Sequence, residues 1–328
     1  MIIYVKNKQK IEKQNFLLDQ DIPSNIIWMD IVNISPEEEL KLEQYFKINI
    51  PTSEENKNVS VSNRLYEEKG AIFMTITLYL NQCDNNICNL KPHNITFIVI
   101  KDILITIRDA DSNLFDNVLS HVEPEHIKSK NKGFSLLLIL LKNIINNTSA
   151  FLENIGHTLN IQNDNIICST PINDHSDKLN YKTLLKEITN IGNTVSQIHE
   201  SLTTFSRMLT FISQLSSVLK HKDFVYRIKI FLKDVDALKE KDTFLSNKVN
   251  FLLDATLGLI SIEQNNIIKI FSVVSVIFMP PTLIASVYGM NFEVIPELKW
   301  AIGYPLAIIV MLISSWLPYR FFKKKQWF

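Results

Sequence analysis

The chain has 328 residues, 34 of them basic and 34 acidic, so its formal net charge is zero and it lacks the basic footprint of a nucleic-acid-binding protein. Hydrophobic residues make up 46% and charged residues 21%, but most of the charge lies before Lys269 and the apolar excess after it, as in a polar part joined to a membrane part. Four residues separate Cys83 from Cys88 and Cys168 stands apart, a spacing that fits neither a zinc knuckle nor a disulfide scaffold and suits free thiols.

The opening MIIYVKNKQK has charges after five apolar residues and no long apolar core, so it does not read as a signal peptide. Residues 1–170 read as an α/β domain. Ile26–Val32 has the pattern of a short strand. Ser35-Pro36-Glu37-Glu38 is a capping box with Pro at the first helical position. Ile72–Leu78, Thr96–Ile100 and Ile103–Ile107 carry the β-branched enrichment of strands, and Lys101-Asp102 is short enough for a hairpin turn. From Asn113 the pattern becomes helical, with Phe134–Leu141 expected as a buried helix. The polar stretch Asn160–Asp177, holding Pro171, is expected to be a boundary.

Residues 171–264 read as two long helices. In the first, Leu184, Ile191, Ile198, Phe205, Ile212 and Leu219 recur every seven positions, with Ile188, Val195, Leu202 and Leu209 alternating between them, which is a heptad seam. Lys220-His221-Lys222-Asp223 reads as a turn. The second helix repeats Phe231, Leu238, Leu245, Leu252 and Leu259, with Ile228, Val235 and Val249 but also Asp242, Thr256 and Glu263 at the partner position. A short turn between heptad helices predicts an antiparallel pair. Apart from Gly258 no breaker lies between Val225 and Met279, so one continuous helix on the order of 80–100 Å long is expected at 1.5 Å per residue. It reads either as a plain coiled-coil spacer or as a stalk that relays the state of the polar part.

Residues 265–328 hold two apolar spans, about 267–288 and about 301–322, each long enough to cross a ~30 Å hydrocarbon core. Residues 289–300 join them. Lys269 and Lys323–Lys325 flank the spans, while the joining loop carries Glu293, Glu297 and Lys299; the positive-inside rule then places both termini in the cytoplasm and the loop outside. Tyr288, Trp300, Tyr304, Trp316, Tyr319 and Trp327 suit interfacial aromatic belts, and Lys323–Lys325 suit anionic lipid headgroups. Ser272, Ser275, Thr282 and Ser286 fall within an arc of about 80° at 100° per residue, and Asn265, Ile268 and Met279 extend that stripe. A wet stripe on an apolar helix reads as the lining of a water-filled path, although small hydroxyl residues also mark tight helix packing. Two spans cannot enclose a pore, so a pore would need several chains around one axis.

The stretch Phe278–Trp300, FMPPTLIASVYGMNFEVIPELKW, resembles the signature of the CorA family of magnesium transporters. The Gly289-Met290-Asn291 triplet after the first span carries the resemblance. Met279-Pro280, Tyr288, Pro296-Glu297-Leu298, Gly303-Tyr304-Pro305 and the lysine-rich end with its Trp support it. The resemblance implies an α+β cytosolic domain, long stalk helices and two C-terminal transmembrane helices, assembled as a funnel-shaped homopentamer in the inner membrane. It implies passive uptake of hydrated Mg²⁺, with Co²⁺ and Ni²⁺ as further candidates. Asn291 would form the external selectivity ring, binding the ion through its water shell, and Met290 would pack beside it. Asn265 and Thr282 match polar rings of the family's pore, Met279 an apolar constriction, and Ile268 and Phe271 the gate near the cytosolic end.

Mg²⁺ sheds its waters reluctantly, and the stripe holds carboxamide and hydroxyl oxygens rather than carboxylates, which suits an intact hydration shell. Glu293 and Glu297 read either as a cation-attracting mouth or as solvated loop residues. Asp234, Asp236, Asp242 and Asp254 are candidate regulatory Mg²⁺ ligands, or else solvated stalk charges. No phosphate-binding loop is present, so transport is expected to be driven by the membrane potential, worth roughly 4.6 kcal/mol per 100 mV for a divalent ion. Two other readings stand beside this one. Zinc-transporting relatives keep a Gly-x-Asn triplet but generally lack the surrounding context, and a membrane-anchored coiled-coil scaffold would conduct nothing. No H-E-x-x-H or nucleophile–base pairing points to an enzyme.

Overall fold

The computed structural model describes residues 2–7, 10–15, 23, 25–51, 64–84, 87–109, 115, 131–168, 180–291, 296, 300 and 302–325. The chain divides into two compact units, Met1–Leu252 and Leu253–Phe328.

The first unit is built on a seven-stranded sheet: β1 (Ile2–Asn7), β2 (Lys10–Asn15), β3 (Ile26–Val32), β4 (Leu65–Glu68), β5 (Ala71–Asp84), β6 (Ile87–Ile100) and β7 (Ile103–Arg108). Their order is β2-β1-β3-β7-β6-β5-β4. Every neighbouring pair is antiparallel except β3–β7, which is parallel with Trp28 opposite Leu104. The strands expected from β-branched runs fall within β3, β5, β6 and β7. The Lys101-Asp102 hairpin is present, with Lys101 in the left-handed region at φ 50°. β1 and β2 were not anticipated from the sequence.

Helix α1 (Pro36–Phe46) starts at the capping box: Glu38 N–H donates to Ser35 Oγ at 3.3 Å, and Ser35 N–H donates to Glu38 Oε2 at 3.0 Å. Leu42 of this helix joins Met29, Ile31, Phe73, Ile98 and Ile105 in a core on one face of the sheet. The other face buries Trp28, Asp30, Thr106 and Arg108, so β3 is covered on both sides. There Arg108 grips Asp30 through two nitrogens at 2.6 and 3.1 Å, Thr106 Oγ1 donates to Asp30 Oδ1 at 2.6 Å, and Trp28 Nε1 donates to Thr106 Oγ1 at 3.1 Å. The Arg108 guanidinium lies 5.0 Å from the Phe115 ring centroid.

Helix α2 (Lys132–Cys168) buries Phe134–Leu138, Leu140 and Leu141, as the apolar run predicts. It also continues through Asn160–Cys168, the first part of the stretch expected as a boundary. Leu152, Leu159 and Ile166, seven apart, stay buried and carry the helix on, while the polar residues between them face water. At its start Gly133 abuts the Ile103 backbone so closely that an added Cβ would lie 2.7 Å from the Ile103 carbonyl carbon.

Helix α3 (Tyr181–Gln214) is capped by Asn180, whose side chain accepts from Thr183 N–H at 3.3 Å. Leu184, Ile188, Val195, Ile198, Leu202, Phe205, Leu209 and Ile212 are buried, so the seam is real over this helix. It fails at Leu219, which is 58% exposed. Leu215 adopts an extended backbone, and the single turn α4 (Ser216–Leu219) then buries Leu215 and Val218 instead. Helix α5 (Lys222–Tyr288) is the long uninterrupted helix that was expected. Its Phe231, Val235, Leu238, Leu245, Val249 and Leu252 are buried. His199 meets Asp242 and Gly192 meets Val249, so α3 and α5 run antiparallel. Tyr79 OH donates to Glu200 at 2.7 Å, Tyr79 N–H to Ser201 Oγ at 3.2 Å and Thr204 Oγ1 to the Thr77 carbonyl at 3.3 Å, fixing α3 to β5.

The second unit consists of α5 from Leu253 onward and helix α6 (Gly303–Lys324). Among the described residues, three helices are long and apolar enough to cross a membrane: α2 over Lys132–Ile167, α5 and α6. Half of the apolar window of α2 is buried inside the first unit, whereas only 6% of each window in α5 and α6 is covered. Protein already covers much of α2; the apolar surface of α5 and α6 is left for another apolar medium.

Candidate functional site

The distinctive surface of the second unit is the stripe along α5. Asn265, Ile268, Phe271, Ser272, Ser275, Met279, Thr282 and Ser286 are all exposed, Phe271 at 68% and Met279 at 71%. On the opposite side Val273 is buried, and Lys269, Ile277, Pro280, Ile284 and Tyr288 are partly covered. At 100° per residue these sets occupy opposite faces of one helix. The covered face accounts for packing within the chain, and the polar stripe is not consumed by it.

The hydroxyls of the stripe are oriented. Ser272 Oγ donates to the Ile268 carbonyl at 2.8 Å, Ser275 Oγ to Phe271 and Thr282 Oγ1 to Phe278 at the same distance. Each hydroxyl proton is thus spent on the helix backbone, and the oxygen keeps lone pairs to accept from outside. Pro280 and Pro281 have no N–H, so the carbonyls of Val276 and Ile277 lack their usual donor four residues on. A stripe of acceptors suits a species that presents donors, and the waters of a hydrated cation do so.

The helix ends at the triplet. Gly289 N–H donates to the Ala285 carbonyl at 2.9 Å and Met290 N–H to Val287 at 3.4 Å. Gly289 does not take a left-handed conformation; among the described residues the positive-φ glycine is Gly70. What Gly289 provides is room, since an added Cβ would lie 3.2 Å from the Ala285 carbonyl oxygen. Met290 is half exposed and Asn291 is exposed just beyond the helix end. Glu293 and Glu297 lie outside the described residues.

The four candidate regulatory acids are not brought together. Asp234 and Asp236 are exposed in the first unit and Asp254 is exposed in the second. Asp242 is buried, with Oδ2 2.8 Å from His199 Nδ1 and Oδ1 without a partner. Burial pushes its carboxyl pKa up, and the hydrogen bond and charge of His199 offset only part of that. Among the described residues no three His, Cys, Asp or Glu side chains are grouped to hold a metal ion. The His199–Asp242 pair was missed from the sequence, where only the polar intrusion at a seam position hinted at a buried partner.

Comparison with known proteins agrees on one family. A family model described as CorA-like Mg2+ transporter protein matches residues 23–324. The magnesium transport protein CorA of Wolinella succinogenes is 31% identical over 335 residues, covering 100% of this chain and 99% of that protein. That of Escherichia coli (strain K12) is 32% identical over 303 residues, 92% of each chain. The fold resembles the complete structure of the CorA magnesium transporter from Methanocaldococcus jannaschii, with a TM-score of 0.75 and 19% identity over 100% of this chain and 99% of that one. It also resembles the full-length CmaX protein, with a TM-score of 0.69 and 11% identity over 100% and 98% of the two chains. The α+β unit, the long helices and the terminal apolar helix follow that architecture, and the chain belongs to the CorA-like Mg2+ transporter family.

Proposed function

We propose that this chain is the subunit of a passive Mg²⁺ channel of the inner membrane, a transporter rather than an enzyme. Residues 1–170 form its cytosolic α/β domain, 171–264 its stalk helices and 265–328 its pore domain. The spans are about 267–288 and 301–322, with both termini cytoplasmic. Copies surround a common axis, five of them by resemblance to the family. The observation that carries this reading is the oriented acceptor stripe on the exposed face of α5.

In such an assembly Asn291 forms the outer ring and accepts hydrogen bonds from the hydrated ion. Thr282, Ser275, Ser272 and Asn265 continue the acceptor path inward. Met279, and Ile268 with Phe271, form apolar rings where dewetting stops conduction. Glu293 and Glu297 concentrate cations at the mouth. The inside-negative potential drives entry, and Co²⁺ and Ni²⁺ hydrates of similar size use the same path. Binding of cytosolic Mg²⁺ at stalk acids closes the channel; Asp234, Asp236 and Asp254 are accessible for this, and Asp242 is held by His199.

The stripe itself can be tested by single-cysteine labelling in membranes, in a chain whose three native cysteines are replaced by serine. Ser272→Cys, Ser275→Cys and Thr282→Cys should react with a water-soluble, membrane-impermeant maleimide, and Val273→Cys should not. Equal protection of all four would mean that the stripe packs against protein or lipid and would sink the pore reading.

A further inference from the structure

A groove in the second unit combines hydrocarbon-lined walls with fixed cations at one end. Ile277 of α5 and Leu312, Ile313, Ser315, Trp316 and Tyr319 of α6 line an open cavity of about 630 Å³. That volume falls in the ~300–1,000 Å³ range of small-molecule sites. The one aliphatic hydroxyl, Ser315 Oγ, donates to the Leu312 carbonyl at 3.0 Å. The aromatic walls also hold the charges. The Arg320 guanidinium lies 5.1 Å from the Trp316 ring centroid, and Lys323 Nζ lies 6.0 Å from that of Tyr319. Cations over aromatic faces at these distances are attracted by the ring quadrupole. On α6, Leu312, Ile313, Trp316, Tyr319, Arg320 and Lys323 share one face at 100° per residue. Lys324 and Lys325 follow.

An apolar groove with cations held on its aromatic walls at one end matches an amphiphile with a hydrocarbon tail and an anionic head. We propose that this groove binds one anionic phospholipid of the cytosolic leaflet, an acyl chain lying against Ile277, Ile313 and Trp316 and the phosphate paired with Arg320 and Lys323. The proposal rests on the reading that α5 and α6 cross the membrane. The groove selects by head charge, because a zwitterionic lipid fills the apolar part equally well but brings no net charge to the cationic end. Trp316 and Tyr319 do two jobs here, walling the groove and setting the positions of the two cations.

The test uses the full chain in vesicles of equal phosphatidylglycerol and phosphatidylcholine, followed by detergent extraction, extensive washing and mass spectrometry of retained lipid. About one phosphatidylglycerol per chain should remain, enriched roughly 25-fold over phosphatidylcholine, since each of the two cations near the surface is worth a factor of about five. The double variant Arg320→Gln/Lys323→Gln should lose most of that enrichment. Ile313→Phe, which narrows the groove with its charges intact, should lose the bound lipid too. Lys222→Gln, a cation on the first unit, should change nothing. Equal retention of both lipids by the unaltered chain, or undiminished enrichment in both groove variants, would overturn the proposal. So would exclusion of lipid with efficient cross-linking between copies through Cys placed at Ile313, which would give the groove to a second copy. Resistance of the chain to alkaline extraction from phosphatidylcholine vesicles tests membrane insertion separately, so a failure of that reading is distinguished from a failure of the lipid site.

Discussion

Asp242 offers the sharpest stability test. It occupies on α5 the seam position held by Val235 and Val249 one heptad to either side, and it is 1% exposed. One carboxylate oxygen meets His199 at 2.8 Å; the other has no partner. An unsatisfied buried oxygen costs about 1–3 kcal/mol. Asp242→Leu removes that cost and continues the apolar seam. The His199 side chain is 57% exposed, so water replaces its lost partner. The variant should therefore be about 1–3 kcal/mol more stable at pH 8, in line with buried ion pairs replaced by apolar residues. At roughly 2–4 °C per kcal/mol this is a rise of roughly 2–12 °C in the thermal midpoint of the detergent-solubilised chain.

The pH dependence carries a sign. The folded-state pKa of Asp242 is raised, chiefly by burial, so the folded chain holds this proton more tightly than the unfolded chain. The stability this contributes is fully present below the ordinary carboxyl range and is lost as pH rises through the folded value. The advantage of leucine should shrink as pH falls from 8 through the folded-state value. A midpoint that falls at pH 8 would show that the carboxylate is net favourable where it sits and would refute the reasoning.

Three further outcomes follow from the packing. Asp30→Ala leaves Arg108 buried without its carboxylate and should cost about 3–5 kcal/mol, read as a lowered denaturation midpoint; a loss below 1 kcal/mol would mean that water reaches the guanidinium. Gly133→Ala forces a Cβ to within 2.7–3.0 Å of three Ile103 backbone atoms and should cost about 1–3 kcal/mol or more, seen as reduced thermal stability. Gly258→Ala meets nothing within 4 Å and should stabilise α5 by about 0.5–1 kcal/mol; a loss of both midpoint and oligomer would instead place Gly258 in contact with another copy.

Much of this fold is legible in local sequence. Ser35-Pro36-Glu37-Glu38 names the start of α1 because capping is a four-residue interaction. Leu184–Ile212 announces α3 because a seven-residue repeat needs no knowledge of its partner to be recognised. The stripe on α5 is legible for the same reason, as helix geometry alone converts spacing into a face. What failed depended on distant residues. Leu219 keeps the heptad spacing but not the register, since one extended residue at Leu215 rotates the next turn. Asn160–Cys168 looks like a connection by composition, yet Leu159 and Ile166 suffice to hold it helical against the seam. The Asp30–Arg108 pair joins residues 78 apart in sequence, and His199–Asp242 residues 43 apart; neither pairing has a local signature. β1 holds a strand-like run, Ile2-Ile3-Tyr4-Val5, that was legible and missed, whereas β2, KIEKQN, is too polar to be read before the sheet it joins is known. The triplet was legible only through its resemblance to relatives, because three residues at a helix end have no physical period.

The most direct test of the central claim is Mg²⁺ influx into liposomes holding the purified chain, with an inside-negative potential and low internal Mg²⁺. Asn291→Ala is measured alongside, and a cobalt(III) hexammine complex serves as a mimic of the hydrated ion that cannot shed its ligands. A channel that selects the hydrated ion at Asn291 gives influx that the complex blocks and that the variant lacks. No influx, or influx equal in the variant and indifferent to the complex, would contradict it.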